Sequence, residues 1–170
     1  FTIGCFTALW IAMNSCQPPA TDAISLESPE GTHQIDIYLD ASGRPGYRVF
    51  RNGMAVIDSS GLGFEFKDQP ALMSGMQWVE SSVTSEDETW EMPWGEQHRV
   101  RNHYRETIVF LREREAPQRS LRVFLRAYDD GVALRYEFPE QEGTDSVRIT
   151  AEKTEFKLTG DHMSWWIPGD

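Results

Sequence analysis

An all-β fold, an antiparallel sandwich or barrel, is predicted by three features of this sequence. Apolar residues recur every second position over most of the chain, turn-forming Gly, Asn and Asp punctuate it at roughly ten-residue intervals, and no stretch of about a dozen residues carries a capped helical stripe. Alternation with period two places one side of each segment in a core and the other in solvent. Repeated short segments of that kind, joined by tight turns, build stacked antiparallel sheets.

The elements follow in order. Ile35, Ile37 and Leu39 alternate with Asp36 and Tyr38, and "DASGRPG" then turns the chain into "YRVFRNGMAVI". Within that stretch Asn52-Gly53 marks a hairpin, because both residues accept positive φ. "RETIVFLRE" at 105–113 reads as a strand. Leu121, Val123, Leu125 and Ala127 then alternate with Arg122, Phe124 and Arg126, and Asp129-Asp130-Gly131 leads into Val132, Leu134, Tyr136 and Phe138 on one face. "VRIT" at 147–150 and "TEFKL" at 154–158 add strands, while "SEDETWE" at 85–91 and "PEQEGTDS" at 139–146 read as loops.

The N-terminus is of another kind. An apolar run from Phe1 to Met13 is too short to span a bilayer and has the length of a signal-peptide core. Residues 1–16 are therefore expected to be a clipped signal segment, with 17–24 a tether and 25–170 the folded domain. Cys16 follows the small residue Ser15, where a lipoprotein signal would place its lipidated cysteine; lipidation and simple secretion both remain open. Cys5 and Cys16 are the only cysteines and both lie in this segment, so the domain relies on packing rather than on disulfides.

Charge excludes one class of partner. Sixteen Lys and Arg against 27 Asp and Glu give a net charge of −11, which repels a phosphate backbone and argues against nucleic acid. No G-x-S-x-G elbow accompanies the four histidines, and neither His98 nor His103 has the spacing of a zinc site. Glu91, Glu96 and Glu106 lie near Trp90 and Trp94 in sequence, and glycoside hydrolysis needs only two carboxylates; solvated loop acids are the competing reading. Trp90, Trp94 and Trp165 either pack back on the sheets or present flat faces to a ligand such as a sugar ring.

Four segments resemble a known family: "SPEGTHQIDIYLDASGRPGYRVFRNGMAVIDSSGLGFEF", "WGEQHRVRNHYRE", "LRAYDDGVALRYEFP" and "ITAEKTEFKLTGDHMSWWIPGD". Together they resemble the N-terminal domain of glycoside hydrolase family 97, bacterial exported α-glucosidases and α-galactosidases. The resemblance implies an antiparallel β-supersandwich like that of galactose mutarotase, followed in the complete enzyme by a catalytic (β/α)8 barrel. It places the catalytic carboxylates and most Ca2+ ligands in that barrel, so neither maps onto this sequence, which is expected to be C-terminally incomplete and inactive alone. An accessory role is implied, binding an oligosaccharide or α-glycoside or supporting the active site, in the periplasm or on the outer membrane of a Gram-negative bacterium. Trp90, Trp94, Glu96, Asn102, Tyr104 and Trp165 are the residues expected to face sugar or barrel. A freestanding glycan-binding surface lipoprotein is the alternative.

Overall fold

The computed structural model describes residues 23–141 and 146–165, and these form an all-β sandwich. The first sheet takes β1 (Ala23–Glu27), β2 (His33–Leu39), β3 (Pro45–Arg51) and β4 (Met54–Gly61) in chain order. A short β5 (Phe64–Phe66) pairs with β10 (Ile149–Glu152). The second sheet is an antiparallel meander of β6 (Met76–Glu91), β7 (Arg99–Glu113), β8 (Ser120–Tyr128) and β9 (Gly131–Glu137). No helix occurs among the described residues.

The turn chemistry acts as expected. Asn52 and Gly53 carry φ of 49° and 76° between β3 and β4, the left-handed pair that matches the twist of a two-residue hairpin. The alternating residues also fall where their period sends them. Ile35, Ile37, Leu39, Tyr47 and Val49 from the first sheet meet Val109, Leu111, Leu121, Val123, Leu125 and Ala127 from the second in one buried cluster.

Three expectations need correction. Residues 85–91 are not a loop: they extend β6, paired residue for residue with 99–105. Hydrophobic periodicity misses them because both faces of that ribbon are polar, and alternation is visible only where one face is buried. Residues 154–158 form no strand of their own. They run extended beside β4, with Lys153 and Glu155 amides donating to Gly63 and Gly61, Asp58 donating to Lys157, and Thr159 donating to Val56. The late strand expected at 147–150 occupies 149–152 instead, set by its pairing with β5. In addition, β1 begins at Ala23, so the last two residues of the expected tether belong to the sheet. Cys5 and Cys16 lie outside the described residues.

Candidate functional site

The β6–β7 hairpin is longer than the sheet that carries it. Pairing of β7 with β8 starts at Tyr104, so 87–91 and 99–103 pair only with each other. Five residue pairs at about 3.3 Å each make roughly 17 Å of two-stranded ribbon projecting past the sheet. Its tip, residues 92–98, is closed by the Met92 amide donating to His98 and turns through Gly95 at φ 114°.

Cross-strand partners share a face. Trp90–Val100, Glu88–Asn102 and Glu86–Tyr104 stand on one side of the ribbon, continuous with the outer face of the second sheet. Asn102 Nδ2 donates to Glu88 Oε1 at 2.8 Å. On the other side Arg101 Nε and Nη2 donate to the two Asp87 oxygens, both at 2.7 Å, and these bonds hold the Asp87 carboxyl below its ordinary value.

Further along the outer face arginines and aromatics interleave. Arg126 lies 4.2 Å from the Tyr104 ring centre and donates through Nε to Glu106, which raises its already high pKa. Arg135 stacks 3.8 Å from the Phe124 ring and Arg122 lies 5.5 Å from Phe110. Glu106, Phe124, Arg126, Tyr128 and Arg135 line a shallow pocket of about 280 Å3. Guanidinium groups therefore lie against the Tyr104, Phe110 and Phe124 rings and compete with a sugar for their faces.

The sequence-derived candidates divide accordingly. Trp90, Asn102 and Tyr104 share the outer face, but Tyr104 is 7% exposed and belongs to the cation-π ladder. Trp94, at 80% exposure, and the exposed Glu96 sit at the ribbon tip. Trp165 is 91% exposed and follows the segment tied to β4, at the other lateral edge of the sandwich.

The three glutamates do not converge. Glu91 lies opposite Arg99, seven positions from Glu106 along β7 and hence roughly 23 Å away, and Glu106 is committed to Arg126. Arg122, Arg126 and Arg135 were legible only as polar positions of amphipathic strands. Their interleaving with rings depends on cross-strand register.

Comparison with known proteins decides the family. The model for the glycosyl-hydrolase 97 N-terminal domain matches residues 26–170. The chain belongs to glycoside hydrolase family 97. Solved structures of a family 97 enzyme from Pseudoalteromonas sp. strain K8, one in complex with panose and another with acarbose, superpose at TM-score 0.78 with 32% identity. Each match covers 86% of this chain and 22% of that enzyme, so the chain spans about a fifth of the length of its family 97 relatives. A β-arabinopyranosidase shares the fold at TM-score 0.72 and 24% identity, over 79% of this chain and 21% of its own.

Proposed function

We propose that this family 97 domain is the accessory N-terminal part of an exported enzyme hydrolysing α-linked glucosides or galactosides, and that its ribbon edges the substrate pocket. The observation that carries the reading is the pair of indoles, Trp90 and Trp94, held away from the core on a two-stranded arm. Indoles in water are costly unless they meet a ligand or a partner, and a sugar ring offers the flat C–H face that an indole stacks on. Asn102, Glu88 and Glu96 supply hydrogen-bonding groups beside them.

The panose and acarbose complexes of the Pseudoalteromonas enzyme support an oligosaccharide as substrate class. The match covers 22% of that enzyme, which favours an accessory role over a freestanding glycan-binding lipoprotein. The catalytic acids and the (β/α)8 barrel are assigned to the remaining polypeptide. Ca2+ is assigned there too, as the family resemblance implies. Export through the apolar N-terminal run, with Cys16 as the lipid attachment point, completes the proposal.

The test uses the complete enzyme. Trp94→Ala should lower kcat/KM on an α-linked trisaccharide about tenfold, the scale of one lost aromatic contact, while leaving the unfolding midpoint in place. Unchanged turnover with a lowered midpoint would assign Trp94 to packing.

A further inference from the structure

The two sheets are laterally offset, with β1 over β7 and β8, so the β1–β2 turn lies under the root of the projecting ribbon. Beyond that root, 87–91 and 99–103 have no β8 residues beside them, and a ribbon of two strands twists and bends more freely than a sheet. Its direction therefore depends on what its inner side meets. Odd-numbered residues of β7 face inward: Val109 and Leu111 lie in the core, and Arg99, Arg101 and His103 continue that side along the arm. Their cross-strand partners are Glu91, Thr89 and Asp87.

The body presents carboxylates beneath this side. In the β1–β2 turn the Glu30 amide donates to Asp129 Oδ1 at 2.8 Å, and the Ser28 hydroxyl bonds the same carboxylate. His33 Nδ1 lies 3.2 Å from the Tyr128 carbonyl oxygen, a second tie between the two sheets at this end. Asp129 directly follows Tyr128, the partner of Tyr104, so the joint sits beside the first residues of the arm. The Glu30 side chain itself is exposed.

Arg101 couples arm and body. Its two bonds to Asp87 fix the guanidinium on the inner side and raise its pKa, and the Glu30 and Asp129 charges raise it further through space. The charges acting on Asp87 are those of Arg101 and His103, so the ion pair turns its cationic end toward the body. A fixed cation facing two carboxylates draws the arm toward them. The Asn102–Glu88 bond on the outer side, by contrast, joins the two strands of the arm to each other only.

We propose that Arg101 is a positioning residue: facing Glu30 and Asp129, it sets the angle of the arm and so holds Trp90 and Trp94 at the substrate. This rests on the reading of the ribbon as an edge of the substrate pocket. Arg101 itself touches neither sugar nor the reacting acids, which are assigned to the remaining polypeptide.

Two measurements on the complete enzyme test it. In kinetics, Arg101→Gln and Glu30→Gln should each raise KM on an α-linked trisaccharide about threefold, the scale of one exposed charge contact, with kcat retained. Arg101→Lys keeps the cation and should recover part of the loss. In a Trp94→Ala background neither glutamine variant should change KM further, since the contact that the arm delivers is gone. Hydrogen exchange reads the arm directly. Glu30→Gln leaves the Asp87 fork and the Glu30 amide intact, and should speed exchange at 87–91 and 99–103 about threefold while 104–111 stay unchanged. Unchanged exchange would overturn the proposal. So would an unchanged KM where Trp94→Ala itself lowers turnover, or a KM rise that persists without Trp94. Full activity of Trp94→Ala sinks instead the reading of the ribbon as pocket edge, and exchange still decides whether Arg101 sets the arm.

Discussion

Arg119 shows how one side chain fixes two connections of this sandwich. It is 5% exposed and donates to both oxygens of Glu113, at 2.6 and 2.9 Å, and to the carbonyl oxygens of Pro70 and Ala71, with its guanidinium 5.3 Å from the Phe66 ring. The β7–β8 turn is thereby tied to the connection between β5 and β6. Burial would raise the Glu113 pKa, but hydrogen bonds from the Arg119 side chain and amide, with its charge, outweigh that and hold it below the ordinary 4.5. Arg119→Ala leaves a mostly buried carboxylate without its cation and should cost about 3–5 kcal/mol in urea unfolding. The pH dependence has a definite sign. A carboxylate with a depressed folded pKa contributes stability that is complete above its unfolded value and is lost as pH falls through the folded one. Wild type should therefore lose stability below about pH 4.5, and Arg119→Ala should lose less over the same window.

At the scale of elements, the ribbon is where sequence and structure part most instructively. Strands with one buried face were legible from their alternation: Leu121, Val123 and Leu125 reach the core and Arg122, Phe124 and Arg126 do not. Residues 85–91 were not, because Glu86, Glu88 and Asp87 leave neither side apolar, and pairing with 99–105 alone makes them a strand. The Arg126–Glu106 contact was equally invisible, since it depends on a register fixed across the 114–119 turn, where Gln118 takes φ 61°. Trp90, Asn102 and Tyr104 could be placed near one another from sequence spacing, but that they share one face follows only from the β6–β7 register. A two-stranded ribbon lacks the sheet face that stabilises a hairpin in water. Its amides at 87–91 and 99–103 should exchange at least roughly tenfold faster than those at 104–111, which lie in the centre of a four-stranded sheet. Equal protection in the domain alone would show that the arm is stable without a partner.

For the whole molecule, the question is what joins two offset sheets into one cooperative unit. Phe64 is the principal connection: it is buried, sits in β5 between the first sheet and β6, and meets Tyr136 at 4.8 Å and Phe138 at 5.0 Å in edge-to-face geometry. Its backbone exchanges hydrogen bonds with Leu72 in both directions and it lies opposite Glu152 of β10, so three separate segments converge on one residue. Phe66 stacks beside it and also reaches Phe138. Truncation to alanine would empty a volume lined by the Phe66, Tyr136 and Phe138 rings and leave a cavity in the core. Phe64→Ala should therefore destabilise by about 3–5 kcal/mol in denaturant unfolding, and Phe64→Leu by less. Phe50, which stands on the outer face of the first sheet near Arg48, is the matched control because its ring is half-buried and links no second layer. If the rings around Phe64 unify the sandwich, its loss will lower one shared transition for both sheets. A loss no larger than that of Phe50→Ala would mean that the Ile37, Val109 and Val123 core holds the sheets together without the aromatic cluster.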